Sequence, residues 1–285
     1  MFWPGYMNIN RLARYLPPAS LSLYRKLFRR GIVFLGDYPT WDAAVRQSRG
    51  YDDDAIIEKV LASALRIKAG DGLYEQDSVV FYEENPSWPL LAGLMWIAAQ
   101  NSGRLNVLDF GGSFGSVYHK HRRFLSELRE VRWNIVEQTK IVELGKQHFE
   151  TETIRFYYDI NSCLAETKPD IILFSSVLQY IEKPYDLLQK ALDSGIEQII
   201  VDRTPFHKEN TDRITVQHVS PKIVDTSYPA WIFSIGKFES FFNSCEIPGR
   251  FESDGNEPFE AIKILGYIIR NRQADRRGHG ANGNV

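Results

Sequence analysis

The chain has 285 residues, 44% of them hydrophobic and 25% charged, enough to bury one large α/β core or a core plus a helical cap, so a second enzymatic domain need not be sought. A formal net charge of −2 supplies no global field for a polyanion, which argues against a dedicated nucleic-acid binder. Cys163 and Cys245, without a CxxC or Cys/His cluster, make neither a disulfide framework nor a metal site and fit a reducing cytoplasm. No run of about 18 apolar residues occurs, and Pro17–Pro18 interrupts the N-terminal stretch, so neither a membrane span nor a signal peptide is expected.

Residues 1–50 form the clearly basic region, with Arg11, Arg14, Arg25, Lys26, Arg29, Arg30, Arg46 and Arg49 against Asp37 and Asp42. They read either as a solvated helix face packed by Leu12, Leu16, Leu23 and Leu27, or as an interfacial segment in peripheral contact with anionic lipid. Asp52–Asp54 then open an apolar-periodic run that stops at Gly70, with acids at the positive helix end and glycine after the last turn, which predicts a helix. A second helix is predicted over Trp88–Gln100. Residues 1–100 therefore read as a mostly helical cap.

From Leu105 the texture changes to short aliphatic runs between helical patterns, as parallel strands buried on both faces require. Strands are predicted at Leu105–Phe110, Trp133–Glu137, Ile154–Ile160, Asp170–Ser176, Gln198–Arg203 and Ala261–Arg270. Helices are predicted near Phe114–Leu128, Ile141–Phe149, Pro184–Asp193 and Lys237–Asn243. This alternation predicts an α/β, Rossmann-like doubly wound sheet over residues 101–272, with ligands at the carboxyl ends of its strands. Residues 273–285 lack apolar periodicity and read as a disordered tail. Thr204–Ile235 shows few regular signals and reads as a long binding loop or lid.

The chemistry concentrates in Val107-Leu108-Asp109-Phe110-Gly111-Gly112-Ser113-Phe114-Gly115, a strand ending in an acid followed by a glycine-rich turn and a helix. The third glycine of a dinucleotide fingerprint is absent, because the spacing runs Gly111, Ser113, Ser116, and no G-K-[ST] follows for a P-loop. A carboxylate at the strand end suits a cationic amino-acid moiety better than a pyrophosphate, which it would repel. About 20 residues on, the second strand ends in Glu137, where an acid can accept both hydroxyls of a ribose. Asp159 after the third strand is a candidate acceptor for an adenine amino group, or an ordinary turn or helix cap. Gln138, Ser175 and Ser176 fall at neighbouring strand ends. Phe110 and Phe114 read as core.

These residues resemble the class I S-adenosylmethionine-dependent methyltransferases, with VLDFGGSFG as the first motif and Glu137 as the ribose acid. More closely, the strings VLDFGGSFGSVYHKHRRFL, RWNIVEQ, SSVLQYIEKP, VDRTPF and SYPAWIFS resemble a family of methyltransferases associated with bacterial surface-polysaccharide biosynthesis, over about Trp41 to Arg270. The resemblance implies a methyltransferase-like domain that binds S-adenosylmethionine through Asp109, Gly111, Gly112, Ser113, Gly115, Glu137, Gln138, Asp159, Ser175 and Ser176. It also implies a saccharide or nucleotide-sugar acceptor. Ser113 departs from the class pattern, where glycine is common.

Methyl transfer is an in-line displacement that needs proximity and, for an oxygen or nitrogen acceptor, a base. The candidates are His207, Asp202 and Tyr180. His207 reads either as a base with a suitable unperturbed pKa or as an inert, exposed loop residue, and Asp202–Arg203 reads equally as an internal ion pair. His119 and His121 read as surface residues beside Lys120, Arg122 and Arg123. Tyr82, Trp88, Tyr228 and Trp231 are candidates for stacking on a sugar ring, or simple packing. The absence of an Asn/Asp-Pro-Pro-Tyr string disfavours exocyclic base amines and leaves an oxygen of a sugar or small metabolite. Two rivals stand beside this reading: a catalytically silent cofactor-binding or scaffolding protein of polysaccharide assembly, and a nicotinamide-dependent sugar oxidoreductase, disfavoured by the glycine spacing.

Overall fold

The computed structural model describes residues 33–49, 53–76, 78–219, 226–253 and 261–272. Most of the basic N-terminal region, with its expected lipid contact, and the tail at 273–285 lie outside the described residues. Five parallel strands carry the core: β4 (Arg104–Phe110), β5 (Glu130–Val136), β6 (Ile154–Tyr157), β7 (Ile171–Ser175) and β8 (Gln198–His207). Successive residues along each strand enter opposite layers. Val107, Ile135, Phe156, Leu173 and Ile200 pack on one face, while Leu108, Val136, Tyr157, Phe174 and Val201 pack on the other. A period of two with both faces apolar is what a sheet covered by helices on each side demands.

The first face is covered by α3 (Trp88–Gln100), α4 (Ser116–Leu125) and α5 (Thr139–His148), and the second by α6 (Ile160–Glu166), α7 (Pro184–Asp193) and α8 (Ile235–Phe241). The order in space is β6-β5-β4-β7-β8, so the chain winds outward from β4 in one direction and then returns to wind in the other. This is the doubly wound arrangement expected. Its switch point lies between β4 and β7, where crossover connections leave in opposite directions and open a crevice at the strands' carboxyl ends.

Beyond β8 the pairing is antiparallel except for a short parallel contact with β10. β12 (Lys263–Arg270) pairs with one edge of β8 from Gln198 to Phe206, and β11 (Glu246–Glu252) pairs with β12. The other edge of β8 is shared. It pairs with β7 as far as Ser175 opposite Asp202, and then with β10 (Ser227–Ser234) at Phe206 and His207. β9 (Arg213–His218) pairs with β10, and β1 (Val33–Tyr38) with β9, both antiparallel. The segment expected as a long irregular loop is therefore largely the end of β8, with β9 and β10. Its aromatic and β-branched residues satisfy their backbone groups by sheet pairing, which Pro229 within β10 had obscured.

The expected helices at 52–70 and 88–100 form as α2 (Asp53–Lys68) and α3. The described residues before 100 also include β1, α1 (Trp41–Gln47) and a hairpin of β2 (Tyr74–Gln76) and β3 (Val79–Phe81). α3 packs directly on the sheet. Leu90, Leu94 and Ile97 of α3 share one apolar cluster with Leu105, Val107 and Ile200.

Gly145 shows how tightly the helices sit. A Cβ there would meet ring carbons of the buried Phe156 at 2.5 Å. Alanine in a helix interior ordinarily stabilises by about 0.5–1 kcal/mol over glycine, but overpacking a rigid ring costs about 1–3 kcal/mol. Gly145→Ala is therefore expected to lower the urea midpoint. An equal or higher midpoint would contradict the α5–β6 packing.

Candidate functional site

Asp109 is the penultimate residue of β4, 1% exposed, with the Trp133 indole N–H donating to Oδ2 at 2.8 Å. Its other oxygen, Oδ1, is buried without a hydrogen-bond partner. Burial pushes the carboxyl up to about 7, the Trp133 hydrogen bond opposes the rise, and the nearby charge of Glu137 adds to it. The turn above it is nearly bare backbone. A Cβ on Gly112 would fall 2.4 Å from Asp109 Oδ2, and one on Gly111 would fall 2.4 Å from Val177 Cγ2. Gly111, Ser113 and Gly115 adopt φ of 72°, 53° and 90°, left-handed values that cost a side-chain-bearing residue about 1–2 kcal/mol. Ser113 carries that strain.

Glu137 follows β5. Its Oε1 accepts the Ser113 N–H at 3.1 Å and its Oε2 the Gln138 N–H at 2.9 Å, so the acid after the second strand ties itself to the turn after the first. Burial raises its pKa and these two backbone donors oppose the rise. The strand predicted to Ile160 ends at Tyr157, and Asp159 caps α6 with Oδ1 accepting the Ser162 N–H at 2.9 Å. One oxygen of Asp159 is thus committed to the helix, as the plain alternative had it.

These groups meet in one cleft of about 1150 Å³, larger than the roughly 300–1,000 Å³ usual for a single small ligand. Asp109, Gly111, Gly112, Ser113, Glu137 and Gln138 line one part. Asp159, Ser175, Ser176 and Tyr180 line it as well, whereas Gly115 does not. The Ser175 hydroxyl donates to Asp202 Oδ2 at 2.9 Å, and Ser176 has a left-handed φ of 57°. Tyr180, in a single 3-10 turn, donates its hydroxyl to Gln217 Oε1 at 3.0 Å, and Gln217 Nε2 donates to the Tyr228 hydroxyl at 3.0 Å. The two phenol rings meet edge to face at 5.1 Å, so the 3-10 turn and β10 build an aromatic wall on the cleft, with Gln217 of β9 behind it.

Other expected site residues lie elsewhere. His207 is not in a loop but near the end of β8, paired with Ser234, 3% exposed and outside the cleft lining. Asp202 is 1% exposed and does not line the large cleft. Its carboxylate accepts the Ser175 and Ser253 hydroxyls at 2.9 and 2.7 Å, and it borders a small neighbouring pocket. The expectation of exposed His119 and His121 fails, because His121 is 1% exposed under α3 and His119 is half-buried on another side of α4. Burial lowers the pKa of both, that of His119 to about 4. His121 accepts the Ser87 N–H at Nε2 while Nδ1 faces the Val117 carbonyl at 2.8 Å, which fixes a neutral ring that joins α4 to the start of α3. Of the candidate stacking aromatics, Tyr228 lines the cleft. Tyr82 and Trp88 are exposed outside it, and Trp231 stacks on Trp41 and donates to the Ile181 carbonyl. Phe114 is core, packed on Phe149.

Polar residues to which the sequence reading gave no role at the cofactor also reach the site. Glu75 of β2 and Arg203 of β8 line the cleft, and the buried Gln217 joins two of its phenols. Glu75 belongs to a three-residue strand with no motif. Gln217 lies in the segment that read as irregular.

No protein-family model matches the chain, and no curated protein matches it. Among solved structures it is similar to the N-terminal domain of EvdMO1 in the presence of S-adenosylhomocysteine and D-fucose, at 13% identity and TM-score 0.46, over 79% of this chain and 100% of that one. It is also similar to magnesium protoporphyrin IX methyltransferase from Synechocystis PCC 6803 with bound S-adenosylmethionine, at 15% identity and TM-score 0.41, over 78% and 99%. A third is the 1,6-didemethyltoxoflavin-N1-methyltransferase of Burkholderia thailandensis, at 13% identity and TM-score 0.40, over 76% and 88%. No helix among the described residues is long and apolar enough to cross a membrane.

The buried Asp109 carboxyl makes stability depend on pH. Its folded pKa near 7 lies above the ordinary 3.8, so the folded state keeps a proton that the unfolded chain releases. Stability from this group is full below about pH 4 and is lost as pH rises through about 7. Asp109→Asn is expected to flatten that fall and to be more stable than the parent at pH 8, by on the order of a few kcal/mol. Urea unfolding from pH 4 to 8 checks this, and parallel profiles for the two proteins would refute it.

Proposed function

We propose that this chain is an S-adenosylmethionine-dependent methyltransferase acting on a small polar acceptor, an oxygen of a saccharide or of a metabolite of similar size. The observation that carries the reading is the pair of carboxylates, Asp109 and Glu137, at the ends of adjacent parallel strands beside a turn with no room for side chains. The residues present fit the cofactor. The unpartnered Asp109 Oδ1 suits a cationic amino-acid end, since a buried carboxylate oxygen without a donor costs about 1–3 kcal/mol or more. Glu137, oriented by two backbone donors, would accept ribose hydroxyls, and the second oxygen of Asp159 an adenine amino group. Bound there, the cofactor supplies a methyl group activated by its sulfonium.

The chain's contribution is chiefly positioning. The cleft exceeds the volume one ligand needs, and its aromatic wall offers the Tyr180 hydroxyl oxygen, held by the bond to Gln217, to accept a hydrogen bond from the acceptor's hydroxyl and orient it. His207 and Asp202 are poorly placed as bases, one outside the cleft and the other engaged by two serines. That same observation favours a second reading, a cofactor-binding protein without catalysis. The saccharide class rests on the family resemblance. Cys163 and Cys245, both free thiols, support a cytoplasmic setting.

Calorimetric titration with S-adenosylhomocysteine and NAD in parallel tests the cofactor. Micromolar binding of S-adenosylhomocysteine, weakened about tenfold or more by Glu137→Ala through loss of charge-assisted hydrogen bonds, is the expected result. No binding, or a preference for NAD, would overturn the assignment.

A further inference from the structure

We propose that Glu75 and Arg203 form, with Asp109, a clamp for the zwitterionic amino-acid end of the cofactor, completing a subsite that the glycine turn alone leaves open. The inference rests on the cofactor reading above and deepens it. Glu75 is 4% exposed, yet it lines the large cleft and also borders the small pocket beside it. Its carboxylate is oriented from two directions. The hydroxyl of Ser116, the first residue of α4, donates to Oε1, and the Ser78 N–H donates to Oε2 at 3.3 Å. The β2–β3 hairpin is thereby docked against the helix that follows the glycine turn.

Arg203 lines the same two cavities. Its backbone is held at φ 51°, with its N–H donating to Ser253 Oγ at 3.1 Å. Ser113 and Ser176, on the wall of the large cleft, share the left-handed conformation, so strained backbone gathers after β4, after β7 and at the point of β8 where β7 leaves it. The independent pointer to a ligand is Asp109 Oδ1, buried, unpartnered and on the wall of that cleft. Buried polar atoms in native structures find partners, so an orphan of this kind marks a place for a donor or cation. An α-amino-acid end carries an ammonium for the two carboxylates and a carboxylate for the guanidinium, whose planar fork matches it. A phosphate or a neutral hydroxyl would use only part of this set.

The test is calorimetric titration of the full chain with S-adenosylhomocysteine and with 5′-methylthioadenosine, which keeps the nucleoside and thioether but lacks the amino-acid end. In Glu75→Gln and Arg203→Gln, S-adenosylhomocysteine binding is expected to weaken roughly 10–100-fold, as for loss of a hydrogen bond to a charged group, while 5′-methylthioadenosine binding is unchanged. Glu75→Gln keeps the shape of the side chain, and if it fails to fold, Arg203→Gln carries the test. Equal weakening of both ligands, or unaltered S-adenosylhomocysteine binding in the variants, overturns the clamp. If the unsubstituted chain binds both ligands equally tightly, the nucleoside site stands and the clamp alone falls. If it binds neither, the cofactor reading falls and the clamp with it.

Discussion

A carboxylate buried at the end of a central parallel strand is the constraint around which the site is arranged. Asp109 is held on one side by the Trp133 indole and covered by Gly112, whose missing Cβ leaves the only room for the carboxylate oxygens. Because that backbone lies so close, the chain must turn through left-handed conformations at Gly111, Ser113 and Gly115 before α4 can start. The turn in turn presents the Ser113 N–H to Glu137, which locks β4 and β5 together at their carboxyl ends. Strand, turn and second acid are thus one mechanical unit, stiffest where a ligand would lie.

The second organising feature is the way β8 changes partners. β7 stops at Ser175, opposite Asp202, and β10 takes over the vacated edge at Phe206. This hand-over places β10 beside the crevice, where Tyr228 and Pro229 line it, with β9 and β1 continuing the sheet behind. It also accounts for the serine bonds to Asp202: where β7 leaves β8, the strand-end carboxylate is satisfied by Ser175 and Ser253 instead of solvent. Tyr180, Gln217 and Tyr228 form one network there, so the two parts of the cleft differ in chemistry, acidic and bare at the ends of β4 and β5, aromatic at the 3-10 turn and β10.

The β2–β3 hairpin and α3 close the third side. α3 contributes apolar residues to the sheet's own core, and His121 ties it to α4 through a neutral imidazole. With that anchorage the β2–β3 hairpin rests on the start of α4 and brings Glu75 to the cleft. A cap fastened by a buried core is an integral wall, which is why its hairpin can carry a recognition residue.

The doubly wound core was legible in the sequence because its strands are buried on both faces and its helices are amphipathic, periodicities that local composition records directly. Asp109, the glycine turn and Glu137 were legible for a related reason: a bare turn between strand and helix needs glycine in order, and adjacent parallel strands repeat at a regular interval. The short elements were not. β2 has three residues and no motif, β9 is fixed on one edge by β1 far away in the chain, and β10 carries a proline. Whether a side chain faces the cleft was likewise settled only by tertiary packing. His207 read as a loop base and is buried beside β10, while Asp159 is an N-cap, His121 is buried and His119 half-buried. Glu75 and Gln217 reach the site through long-range docking, Glu75 on the start of α4 and Gln217 by its bonds to Tyr180 and Tyr228. The sequence by itself determined the α/β periodicity and the acid-glycine-acid frame, because those depend on neighbours along the chain; the walls of the cleft were decided by contacts between segments far apart in it.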